Sequence, residues 1–306
     1  MLDLENPPSD AKYLKHHFAD FIELLALSQD EEGISKDEAS ERIFDDGDNQ
    51  NEETTNDFLT DCYELIAYRS DIYGENYPFL LDDNETLKLR EDQTNLNRAY
   101  IFLLLCSCTS KLDRSVASDL RRDFEHLCNS AIKYYLPIFS DCHIFGKSGL
   151  ETDRYSGHIS QKLRLLARDL GTNTTFDVDD FAASDTGDKG LDIVAWSHIP
   201  GDTYKNYNQI YFAQCATGRD WKNKQHEPDK INNHLSLNNN YTIMICIPYD
   251  SRKTNGKPSD HTDITVPIFI DRYRLLSLLG NGVSITELDS NATHIQRVID
   301  YTEELI

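Results

Sequence analysis

The chain lacks any long apolar run. No stretch in its 306 residues reaches the roughly 18 apolar positions of a membrane-spanning helix, which argues against an integral membrane protein. Basic side chains are scarce: 30 Lys and Arg stand against 53 Asp and Glu, a formal charge of -23. That balance argues against a protein that coats nucleic acid by bulk charge. The start, MLDLENPPSD, has neither the basic nor the apolar segment of a secretory signal, so a cytoplasmic location is expected. Three catalytic or nucleotide-binding motifs are missing. There is no G-x-x-x-x-G-K-[ST] loop, since FGKSG at 145–149 lacks the first glycine, and no G-x-S-x-G or H-E-x-x-H. Apolar residues at 39% are enough for a core, which excludes full disorder, and the length suits two domains or one large one.

The acidity is unevenly spread. Residues 1–60 hold 17 acidic and 4 basic side chains, a net of -13, which leaves -10 for the other 246. This segment reads as a solvated acidic face or as a docking surface for a basic partner. Seven cysteines, an odd number, sit mostly in apolar runs. The close pair Cys106 and Cys108 has one intervening residue, not the two or more of a zinc knuckle. They read as buried thiols in a reducing compartment.

The first half reads as helical. Residues 11–28 place Tyr13, Phe18, Phe21, Ile22 and Leu25 at helical spacing. Ser35 followed by Glu38 is a capping box opening a helix near 36–44. Residues 44–54 read as a loop, and 55–69, 92–110 and 115–135 as helices, in a helical domain over 1–137. His16, His17, His126, Arg121 and Arg122 read as surface residues rather than ligands.

From about 140 the pattern changes. Residues 156–170 form an amphipathic helix with Ile159, Leu163, Leu166 and Leu170 on one face, stopped by Gly171. Runs rich in branched and aromatic residues follow at 191–196, 209–216 and 241–249. A polar segment around Pro228 reads as helical, and ITVPIFIDRYRLLSLLG as a strand running into a helix. The order implies an α/β layer fold with a mixed sheet over 138–306.

The segment 184–224 carries chemistry. Asp192 enters a strand after a turn bearing Gly187 and Gly190, and the next strand presents Gln214 after an apolar run. A carboxylate and a second oxygen at one sheet edge suit a hard cation such as Mg²⁺, which prefers oxygen ligands. A nearby lysine would then act on the attacking water or on the charge developing at phosphorus. Taken separately, GDKGLD also reads as an ordinary Asp/Gly turn, and QCATGRDW as a strand end capped by Asp220.

At these residues the sequence resembles the PD-(D/E)XK, or restriction-endonuclease-like, nuclease superfamily in its Gln-bearing, Mrr-like variant. The resemblance covers about 140–280. It implies that the N-terminal helical domain is followed by a restriction-endonuclease-like α/β core with a central mixed sheet. Asp192 and Gln214 match the motif's acidic and (D/E/Q) positions. The motif lysine, two residues on, is Ala216 here, so Lys224 first, and Lys222 second, would take its place from the next helix. The resemblance further implies Mg²⁺ (or Mn²⁺) held by Asp192, Gln214 and the Cys215 carbonyl, with Asp188 close by. A third acid from the preceding helix region has no clear match among Gln161, Asp169, Glu151 and Asp153.

Lys189, Arg219, Lys222, Lys224 and Lys230 would contact nucleic acid, with Tyr204, Tyr207 and Trp221 available to stack or to fill the core. The context looks like nuclease subunits of bacterial anti-phage systems. The implied activity is DNA endonuclease, with a partner ATPase or helicase and room for a homo-oligomer. A catalytically inactive scaffold on the same fold is the rival reading, and an RNase a third.

Overall fold

The structure is a computed structural model. It describes residues 15–280 apart from 30–31, 45–51, 147–153, 206–207, 238–239 and 260, together with Leu4, Pro7 and Pro8. The chain is mixed α/β, with a cluster of N-terminal helices and a central mixed five-stranded sheet. Among the described residues no helix is long and apolar enough to cross a membrane.

Two compact units divide the chain. Among the described residues, one comprises those up to Leu120 and Pro248–His261; the other comprises Arg121–Ile247 and 262–280. The division differs from the expected boundary at 137/138. It falls inside an unbroken helix that carries no glycine or proline to mark it, and a short return segment rejoins the first unit.

The first unit holds α1 (Lys15–Ser28), β1 (Ile34–Ser35), α2 (Lys36–Ile43), α3 (Glu52–Tyr73), β2 (Phe79–Leu81), β3 (Thr86–Leu89), α4 (Asn95–Ser107) and the start of α5 (Arg114–Tyr135). The capping box forms as read: Ser35 Oγ accepts from Glu38 N at 3.3 Å, and Glu38 Oε2 accepts from Ser35 N at 2.9 Å. α3 starts at Glu52, so the segment read as a loop ends earlier than expected; residues 45–51 lie outside the described ones. An antiparallel sheet in the order β1-β3-β2 also lies here. Its strands of two to four residues are too short for an alternation to show in the sequence.

The core of this unit contains a buried charge. Arg69 Nη1 pairs with Asp20 at 2.9 Å and Glu23 at 2.8 Å, and Nη2 donates to the Asp250 carbonyl at 3.1 Å. Tyr77 and Tyr100 donate to Glu23, and Tyr73 to Asp250. Burial opposes the guanidinium charge, but Glu23, Asp20 and Asp250 hold Arg69 well above its ordinary value. Such a charge stays buried only while paired and hydrogen-bonded.

The second unit contains the rest of α5, then β4 (Ser140–Ile144), α6 (Ile159–Leu170), β5 (Asn173–Thr174), β6 (Ile193–Ser197), β7 (Gln209–Cys215), α7 (Trp221–Lys224), β8 (Leu235–Ser236), β9 (Tyr241–Cys246), β10 (Ile268–Ile270) and α8 (Arg272–Gly280). The main sheet has the order β10-β9-β7-β6-β4. Strands β4, β6 and β7 are antiparallel, while β7, β9 and β10 run parallel. The polar segment around Pro228 forms a 3₁₀ helix, Glu227–Asn233.

Register sets the two faces. Val194 lies opposite Phe212 and Trp196 opposite Ile210, and this face packs on Ile159, Leu163, Leu166 and Leu170 of α6. Each such buried side chain contributes about 1.5–3 kcal/mol. Gly171, at φ 67°, ends α6 as read. On the other face Cys142 of β4 meets α5, its Sγ donating to Asn129 Oδ1 at 3.1 Å.

Candidate active site

Asp192 sits where three strands come to an end. Its N–H donates to the Ala213 carbonyl at 3.1 Å, and its own carbonyl accepts from Phe145 N at 2.7 Å and Gly146 N at 3.1 Å. The preceding turn is built by its acids and glycines. Asp188 Oδ1 accepts from Gly190 N at 2.9 Å, and Asp185 Oδ1 from Gly187 N at 2.9 Å. Gly190 has φ 83°, and a Cβ there would lie 2.9 Å from the Glu227 carbonyl oxygen, so only glycine fits. The Asp/Gly turn and the buried Asp192 carboxylate therefore belong to one segment.

Gln214 and Asp192 do meet, as the sequence pairing requires. Gln214 Nε2 donates to Asp192 Oδ2 at 2.5 Å, and Cys215 N–H donates to the same oxygen at 2.7 Å. The Cys215 backbone thus meets the Asp192 carboxylate through its N–H. Gln214 Oε1 is buried and accepts no hydrogen bond. Of the two Asp192 oxygens, Oδ1 is the one that faces Gly146.

An acid from α5, Glu125, comes close to Asp192. A Cβ at Gly146 would lie 2.7 Å from Glu125 Oε2 and 3.5 Å from Asp192 Oδ1. The missing side chain lets the helix carboxylate approach the strand carboxylate. Glu125 Oε2 is also sealed from solvent without a hydrogen-bond donor. The four residues considered from the sequence are placed as follows. Asp169 is held by Arg154 at 2.6 Å and Tyr155 at 2.7 Å, Gln161 is exposed, and Glu151 and Asp153 lie outside the described residues.

Burial pushes the Asp192 carboxyl up to about 7. The Cys215 N–H opposes the shift, Asp188 adds to it, and Lys224 opposes it. Burial, then the charges of Asp192 and Asp188, push Glu125 well above its ordinary value, and Lys162 opposes this. Two sealed oxygens without donors, Glu125 Oε2 and Gln214 Oε1, and the Glu125 and Asp192 carboxylates, whose charge burial and mutual repulsion disfavour, are of the chemistry that a hard cation accepts. The residues present fit Mg²⁺ or Mn²⁺.

The lysines separate. Lys224 is half-exposed, lies 3.7 Å from Asp220 Oδ1, and acts electrostatically on Asp192. Lys222 pairs instead with Asp263 at 2.8 Å. Position 216 is a buried alanine, so no cation arises from the strand. Asp220, read as a helix cap, makes no side-chain capping bond. Other expected nucleic-acid contacts are occupied: Lys189 pairs with Asp185 at 2.6 Å and Lys230 with Glu227 at 2.8 Å, while Arg219 is exposed. Trp221 is a core residue against Phe269, Tyr204 is exposed, and Tyr207 lies outside the described residues.

Two participants escaped the sequence reading. Glu125 left only a faint signal, an acid flanked by Phe124 and Cys128 on the apolar flank of a helix. Lys162 left a stronger one, a lysine on the buried face of α6; its Nζ donates to the carbonyls of Phe145 at 2.9 Å and Thr186 at 3.3 Å. It ties together the two loops that frame Asp192. Comparison with family models, curated proteins and solved structures finds no significant match to the chain.

Proposed function

We propose that the chain is a Mg²⁺-dependent DNA endonuclease of the PD-(D/E)XK type, acting in the cytoplasm as an effector subunit of a bacterial anti-phage complex with a partner ATPase or helicase. The observation that carries the reading is that Glu125 and Gln214 both come to Asp192, and each has a buried oxygen lacking a donor. Glu125 Oε2, Asp192 Oδ1 and Gln214 Oε1 would hold the ion. Bound there, Mg²⁺ supplies an acidified water and a counter-charge for a phosphodiester. Cys215 N–H and Gln214 Nε2 fix the Asp192 carboxylate, so its orientation needs no adjustment on binding. Lys224 brings a positive charge to Asp192 from α7, in place of the lysine absent at 216. Most neighbouring lysines are already paired with acids, so affinity for DNA would depend on a partner.

That same pairing, with the buried Ala216, favours the second reading of an inactive scaffold on this fold. The test is cleavage of supercoiled plasmid and of RNA in Mg²⁺ or Mn²⁺, by the chain alone and with the product of the adjacent gene. Metal-dependent nicking of DNA that Asp192→Ala abolishes is expected. Cleavage by Asp192→Ala equal to wild type would remove the site assignment; preference for RNA would change the substrate.

A further inference from the structure

A second cluster lies beside the acidic pocket and shares none of its ligands. Cys128 of α5, Cys215 of β7 and Cys246 of β9 bring their Sγ atoms within 4.8 Å of one another. The sheet explains the placement. β7 and β9 run parallel with Cys215 directly beside Cys246, so both side chains leave the same face. α5 meets that face and brings Cys128, one turn after Glu125. Cys128 and Cys246 are fully buried, while Cys215 is partly buried. Among the described residues no other group of three or more His, Cys, Asp or Glu reaches this spacing.

We propose that Cys128, Cys215 and Cys246 form a binding site for one soft, thiophilic metal ion of the Cu(I) class. Thiolate sulfur selects soft ions, whereas Mg²⁺ and Mn²⁺ prefer the oxygen set next door. With metal–sulfur bonds of about 2.3 Å, three sulfurs in a trigonal plane sit roughly 4 Å apart. Sulfurs already within 4.8 Å need little movement to reach that geometry. The cluster contains no His, Asp or Glu as a fourth ligand, which favours a three-coordinate ion over the closed tetrahedron of structural Zn²⁺. Each thiol that ligates releases its proton to solvent as its metal–sulfur bond forms. The ion would join α5, β7 and β9, two of which also carry Glu125 and Gln214. The inference does not depend on what the oxygen pocket does.

The test uses the full chain, reduced and anaerobic, titrated with Cu(I) against a chromophoric Cu(I) chelator. One equivalent should be withheld from the chelator, X-ray absorption should show three sulfur ligands, and the melting midpoint should rise. Millimolar Mg²⁺ should not displace the ion. The triple variant C128S/C215S/C246S keeps Cys62, Cys106, Cys108 and Cys142 as internal controls and should bind at least about 100-fold more weakly. Cys215→Ser, at the most exposed of the three positions, serves if the triple variant does not fold, and should weaken binding at least about tenfold. Surrender of all copper to the chelator, fewer than three sulfur ligands, or wild-type affinity in whichever variant folds would overturn the proposal.

Discussion

Glu125 and Asp192 approach each other at Gly146. A Cβ at that glycine would lie 2.7 Å from Glu125 Oε2 and 3.5 Å from Asp192 Oδ1, so the close approach of helix and strand carboxylates depends on the absence of a side chain. Gly146→Ala should therefore displace the flexible Glu125 carboxylate without unfolding the chain. Divalent-metal affinity should fall about tenfold, which is about 1.4 kcal/mol. Folding stability should change by no more than about 1 kcal/mol. Calorimetric titration and urea melts of the variant check both.

The burial of Asp192 gives a stability signature in pH. Its carboxyl ordinarily titrates at 3.8 and is pushed to about 7 in the fold. Between these values the folded chain binds more protons than the unfolded one, so metal-free stability falls as pH rises. The loss is complete above about pH 7. The full shift corresponds to something on the order of 4 kcal/mol. Asp192→Asn should then be more stable than wild type at pH 8, and the two should converge toward pH 4. Urea melts across that range decide it; a difference that does not vary with pH would count against the upward shift of the buried carboxyl.

Lys224 and Lys222 are two residues apart yet point to different partners. If Lys224 supplies the positive charge at the reacting phosphate, Lys224→Ala should slow cleavage by about 10²–10³. Lys222 is tied to Asp263 in a partly exposed ion pair, worth about 0–1 kcal/mol. Lys222→Ala should leave the rate within about fivefold. Single-turnover rates on one substrate compare the two.

Arg69 anchors the first unit among Asp20, Glu23 and Asp250. Arg69→Met would leave three carboxylates around an apolar side chain, a loss of about 3–5 kcal/mol. Chemical denaturation followed by circular dichroism reads this, and wild-type stability in the variant would contradict the pairing.

Much of the second unit was legible in the sequence because its elements carry strong local signals. The leucine spacing of α6 and the branched and aromatic runs at 191–196, 209–216 and 241–249 each specify one period, and Gly171 marks a helix end. Asp192 and Gln214 were legible because they stand at the ends of such runs. Glu125 was not, because it reaches the site from a helix 67 positions earlier, and only the glycine at 146 makes the approach possible. The boundary at 120/121 was hidden for a related reason, since α5 serves both units without a break. The cysteine trio shows the same limit: three thiols spread over 118 positions meet only through parallel register.

Binding of a hard divalent cation at Glu125, Asp192 and Gln214 can be measured without knowing the substrate or the partner. Mn²⁺ is titrated into the purified full chain, and the unbound ion is read by electron paramagnetic resonance. One saturable site is expected, competed by Mg²⁺ and weakened at least about tenfold by Asp192→Asn and by Glu125→Gln. No saturable binding, or binding that neither substitution changes, would contradict the metal-dependent site.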